Sequence, residues 1–177
     1  MKLSRRVIGD PILRKNSLNL EDVEIPSEIT KKLVTEITDF LREKNYGIAI
    51  AAPQVGVDKS IVVIDIKKTP TRPDAEPFHL VMYNPEIISY DGDEVELRDG
   101  CISIGDVDDP LYGWSTRYTK VIVRYKDQEA NELTEVFEGF IAHVMQHEID
   151  HLNGILFVDR VKDSKKYTHA SEYKKTL

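Results

Sequence analysis

The chain has little cysteine, no long apolar run and too few basic residues, and each shortage excludes something. A single cysteine, Cys101, leaves no internal disulfide and no sign of an oxidising compartment, so any task for its sulfur is that of a thiolate. No apolar stretch reaches membrane-spanning length. The start, MKLSRRVIGDPILRK, is broken by Gly9, Asp10 and Pro11 before a signal-peptide core can build. The expectation is a cytoplasmic protein without membrane association. Lys and Arg total 24 against 31 Asp and Glu, a net charge of −7, which argues against direct DNA binding through phosphates. Only the end, VKDSKKYTHASEYKK, is locally basic, and residues 162–177 read as a short, frayed, solvated tail.

What remains is globular. With 41% hydrophobic and 31% charged residues in a chain of 177, there is material for one core and not for two, so residues 1–177 are expected to form a single domain. No internal repeat or low-complexity segment occurs. After Pro26, Ser27 is an N-cap for a helix on which Ile29, Leu33, Ile37, Phe40 and Leu41 keep helical spacing, ending near Asn45 to Gly47. KKTPTRPDAEP reads as a surface loop between the strands SIVVIDI and FHLVMYN. EIISYDGDEVEL predicts two short strands turning at Asp91-Gly92, and KVIVRY and ELTEVF flank a second turn. A late helix carries Phe140, Ile141, Val144, Ile149 and Leu152 as an apolar stripe and stops at Asn153-Gly154. Strands grouped before a late helix predict an α+β fold: antiparallel β-sheets packed around a central helix, with an N-terminal helix.

That helix, IAHVMQHEIDHLNG, carries His143, His147 and His151 at intervals of four. One ion cannot take all three, because the outer two stand about 12 Å apart along a helix axis and metal–nitrogen bonds are about 2 Å. The pair His147 and His151 encloses Glu148, which can move a proton; after His143 comes Val144, which cannot. HEIDH is thus a His-Glu-x-x-His metal site, a pattern that chance supplies in roughly one such chain in two hundred. Without a metal, it would bury costly polar groups beside an apolar stripe. Catalytic sites commonly add a third protein ligand and leave one position open. Cys101, His79, His169 and many carboxylates are candidates.

GIAIAAPQ (47–54), DGCIS (99–103) and QHEIDHLNG (146–154) together resemble, in order, the three signature motifs of the peptide deformylases, and GDPILRK near the start adds to the likeness. The resemblance implies a hydrolase that removes the formyl group from formyl-methionyl nascent peptides and releases formate. It implies one divalent ion, Fe2+ or Zn2+, held by Cys101, His147 and His151. It implies Glu148 as the proton carrier, with the Gln54 side chain and the Ile102 backbone N–H as oxyanion donors. Ile48, Ala49, Asp99, Gly100, His143 and Val144 match substrate-binding positions. By the same likeness, Arg117 and Asp150 pair behind the metal helix, and a transient ribosome contact through the C-terminal tail is an expectation.

Two motif positions depart from the family. Ala49 stands for a glycine where substrate backbone approaches, and Asp99 for a glutamate beside the methionine pocket. His143 is more polar than a methionine pocket calls for. Two other readings compete. A zincin-like metallopeptidase would share HEIDH but leave Cys101 idle. A catalytically idle homologue that binds nascent peptides would have no need of Glu148 and Gln54.

Overall fold

The structure, a computed structural model, describes residues 2–44, 47–68, 73–106, 108–173 and 175. Helix α1 (Glu28–Lys44) starts where Ser27 Oγ accepts the Thr30 backbone N–H, at 3.2 Å, which satisfies one of the donors that a helix start leaves open. Asn45 and Tyr46, where its end was expected, lie outside the described residues, as do 69–72 of the expected loop. Ile37 and Leu41 face the core, but Ile29 is 83% exposed and is no part of the buried stripe.

Strands β1 (Ala49–Ala51), β2 (Ile61–Ile66), β3 (Phe78–Gly105), β4 (Pro110–Lys126) and β5 (Glu132–Glu138) form one antiparallel sheet in chain order, with β1 at an edge. The expected hairpin at Asp91-Gly92 is not there. β3 runs straight through, and its register against β4 shifts between Asp91 and Glu94. Gly92 has φ +72°, and a Cβ on it would meet Thr119 Oγ1 at 2.4 Å. Asp-Gly serves a bulge as readily as a turn, because both need a left-handed residue. The second expected hairpin is present as β4 and β5.

Helix α2 (Gly139–Leu152) follows β5 and is buried from Ala142 to Leu152. Ala142, Val144, Met145, Ile149 and Leu152 pack on Val62, Ile64, Met82, Val121 and Val123 of the sheet. Phe140, expected in this stripe, is instead 58% exposed. The helix stops before Gly154, whose φ of +70° favours glycine and whose Cβ would lie 2.7 Å from the Arg14 backbone. The C-terminal segment corrects the expectation of a frayed tail. There, β6 (Thr168–His169) pairs with Leu111 and Tyr112 of β4, and α3 (Ala170–Tyr173) follows. Tyr167 donates its hydroxyl to the Val158 carbonyl at 3.0 Å and sets its ring against Phe157. Among the described residues, no helix is long and apolar enough to cross a membrane.

Candidate metal centre

His147 and His151 share one face of α2, and their Nε2 atoms lie 3.2 Å apart. Cys101 comes from the far end of β3, where ladder pairing with β4 is interrupted between Gly100 and Gly105. Its Sγ lies 3.1 Å from His151 Nε2. Two nitrogens on one tetrahedral cation, with bonds of about 2.0–2.1 Å, sit about 3.3 Å apart, so the observed spacing fits a single ion. All three ligand candidates are buried. Thiolate with two imidazoles suits a borderline or soft transition metal.

The ring orientations have identifiable causes. Asp99 and Cys101 are two apart on a strand and face the same side. Asp99 Oδ1 stands 2.7 Å from His147 Nδ1. A carboxylate accepts, so Nδ1 carries a proton. Burial opposes a charge on the ring, but Asp99 outweighs it and holds His147 well above its ordinary value. A cation at the centre would take the place of the Nε2 proton. The other Asp99 oxygen accepts Ser115 Oγ at 2.8 Å and Arg117 Nη2 at 3.1 Å. Burial opposes the charge on Asp99, but His147 and His143 outweigh it and hold the carboxyl well below the usual range. Arg117 Nη1 donates to Asp150, which also receives Arg160, so the expected pair behind the helix exists and extends to Asp99. Burial, then the nearby His147, depresses the His151 imidazole well below its ordinary value and keeps it neutral.

Asp99, His143 and His147 form a second convergence of donor atoms. Asp99 is already committed there: its oxygens accept the N–H groups of Gly100, Arg117 and His147 and the Ser115 hydroxyl. This cluster is a hydrogen-bonded support, not an open ligand set.

Glu148 lies beside the centre with Oε2 buried and, among the described residues, without a hydrogen-bond partner. Burial pushes its carboxyl up to about 7, in the range useful to a proton carrier. Gln54 is anchored by its Oε1, which accepts the Ala51 N–H at 2.8 Å; its Nε2 reaches Cys101 Sγ at 3.2 Å and Ser103 Oγ at 3.4 Å. A cleft of about 180 Å³ opens onto these groups. Ile48, Ala49, Gln54, Asp99, Gly100, Cys101, Ile102, His143, Val144, His147 and Glu148 line it, so of the sequence-derived site residues only His151 lies behind the wall. Gly47, Arg98 and Phe140 also line it and were not foreseen. Phe140 had a signal, since an aromatic residue three before His143 shares its helix face.

A cation held here would open onto the same cleft as the buried Glu148, the arrangement that metal-dependent hydrolases share. Comparison with known proteins narrows that class. The model of the polypeptide deformylase family matches residues 6–167. A peptide deformylase of Leptospira biflexa is 35% identical, over 89% of this chain and 87% of its own. One from Pseudothermotoga lettingae is 37% identical, over 92% and 84%. Among solved structures, the class I type b peptide deformylase of Acinetobacter baumannii bound to Met-Ala-Ser superposes with a TM-score of 0.82 at 33% identity, covering 91% of this chain and 99% of that one. The Synechococcus elongatus enzyme with actinonin gives 0.79 at 33% identity, covering 93% and 83%. The chain belongs to the polypeptide deformylase family.

Proposed function

We propose that the chain, as one catalytic domain, hydrolyses the formyl amide at the N-terminal formyl-methionine of newly made polypeptides, releasing formate and a free amine. The observation that carries this reading is the convergence of Cys101, His147 and His151 beside a buried Glu148 whose Oε2 has no partner among the described residues. The Acinetobacter baumannii relative in complex with Met-Ala-Ser supports the substrate class, since that tripeptide is what deformylation of a formylated one would leave.

Cys101, His147 and His151 would hold one Fe2+ or Zn2+. Such an ion supplies Lewis acidity, making water nucleophilic near neutral pH and polarising the formyl carbonyl. Glu148 accepts the proton as the water oxygen bonds to the formyl carbon. It returns that proton to the amide nitrogen as the C–N bond breaks. Gln54 Nε2 and the Ile102 N–H are placed in the reading as donors to the developing oxyanion. Ile102 falls where the β3–β4 ladder is interrupted, which favours a backbone N–H free of strand pairing. The free edge of β1 from Ala49, with Ile48 just before it giving its carbonyl to the Asp65 N–H, offers main-chain groups to an extended peptide, as an unpaired strand edge does.

The reading places the enzyme in the cytoplasm, where new chains emerge, with a transient ribosome contact through the basic tail. Because Thr168 and His169 pair with β4, Lys162→Glu with Lys165→Glu tests that contact better than a deletion; unchanged co-sedimentation with ribosomes would remove it.

The deciding experiment loads the protein anaerobically with Fe2+ or Zn2+ and measures formate from formyl-Met-Ala-Ser beside casein cleavage. Formate release without casein cleavage is expected. In Glu148→Ala, metal content should persist while kcat falls by about 10²–10⁴. Full activity in that variant would sink the mechanism.

A further inference from the structure

One polar group in the cleft wall has no task in the chemistry above. His143 lies one turn before His147 on α2, so both rings project from the same face, about 6 Å apart along the axis. It is 8% exposed, and its Nε2 lies 3.3 Å from Asp99 Oδ2. A carboxylate only accepts, so a neutral His143 keeps its proton on Nε2 and has an acceptor lone pair on Nδ1. Among the described residues Nδ1 has no partner, and it is not among the atoms closed off from solvent. Ile48, Phe140 and Val144 line the same cleft as apolar wall, with Arg98 and Asp99 among its charged members.

The formyl group is a single carbon. The next part of a substrate to meet this wall is its first side chain, and methionine's length spans the helical turn from His147 to His143. We propose that His143 is a specificity-determining residue that gives the first side-chain pocket a hydrogen-bond acceptor. The enzyme then accepts linear side chains of methionine's length that end in a donor, with glutamine as the probe. Apolar wall atoms hold the methylenes, and the imidazole replaces a water at the amide end. The proposal rests on the deformylase reading.

The test compares formyl-Gln-Ala-Ser with formyl-norleucine-Ala-Ser, two side chains of matched length, on the metal-loaded enzyme. Wild type should turn over the glutamine peptide within about tenfold of norleucine. His143→Leu should lower the glutamine-to-norleucine ratio of kcat/KM about tenfold or more, the worth of one buried hydrogen bond with its desolvation, at unchanged metal content. Calorimetry with the product tripeptides should show the same change in relative affinity. An unchanged ratio overturns the role of His143. If neither peptide yields formate with wild type, the deformylase reading itself falls, a separate result. Should His143→Leu fail to fold, wild type alone decides, because a preference for norleucine above about a hundredfold overturns the proposal.

Discussion

Asp99 Oδ1 stands 2.7 Å from His147 Nδ1, and this one contact selects which imidazole nitrogen faces the candidate metal centre. The contact depends on aspartate being long enough from β3 to reach α2, with Arg117 and Ser115 holding its other oxygen. Asp99→Asn keeps the shape and removes the charge. Metal affinity should fall about 10–100-fold, as with other carboxylates that orient a metal-bound histidine, read by chelator competition. Affinity equal to wild type would show that the carboxylate is dispensable.

Gln54 is 2% exposed and fixed at both ends of its amide, so its donor is preorganised. Removing one such donor commonly costs about 10²–10³ in kcat. Gln54→Leu should show that loss with little change in KM; a change confined to KM would make Gln54 a binding residue instead.

Glu148 sets a pH dependence for the metal-free protein. Its carboxyl is raised by burial to about 7, against about 4.3 in an unfolded chain. Between those values the native state holds a proton that the unfolded state has released. The resulting stability is fully present below about pH 4.3 and is lost as pH rises through about 7. The Tm of chelated protein should therefore fall between about pH 4.5 and about pH 7 and level off above that. Glu148→Gln, neutral throughout, should flatten that decline. A wild-type Tm that is level over the same interval would contradict the burial effect.

Arg117 is 2% exposed and bridges Asp99 to Asp150. Arg117→Ala takes a shared cation from two buried carboxylates, leaving Asp150 with Arg160 and Asp99 with Ser115 and His147. The expected cost is about 3–5 kcal/mol, the usual penalty for breaking a buried pair, measured by urea unfolding. Asp150→Ala should also destabilise, and metal content should drop with Arg117→Ala through the loss of support for Asp99. Neither variant changing stability or metal content would leave the network without a role.

How much was legible in the sequence depended on the range of the interaction. The paired histidines and Glu148 follow from spacing on one helix, and Ser27 and Gly154 mark helix ends through local chemistry. Cys101 stood among several third-ligand candidates until the motifs singled it out, because its approach to His151 spans 50 residues. Asp99 read as a pocket residue, and its tie to His147 crosses 48 residues. The tie was foreseeable only from the rule that a metal-bound histidine needs an acceptor on its other nitrogen. Asp91-Gly92 was misread because what keeps β3 extended is pairing with β4, not local preference. The tail was misread because its charges hide Tyr167, which packs over Gly113 and Phe157.

Cys101 has no second thiol to pair with, yet its position makes it a cross-linking residue. A cation shared by Cys101 on β3 and the histidines of α2 closes a loop of about 50 residues, as a disulfide would, without needing an oxidising environment. At a free concentration a thousand times its dissociation constant, such an ion adds about 4 kcal/mol to folding. Metal supply would then set how long the folded chain survives, as well as how fast it works.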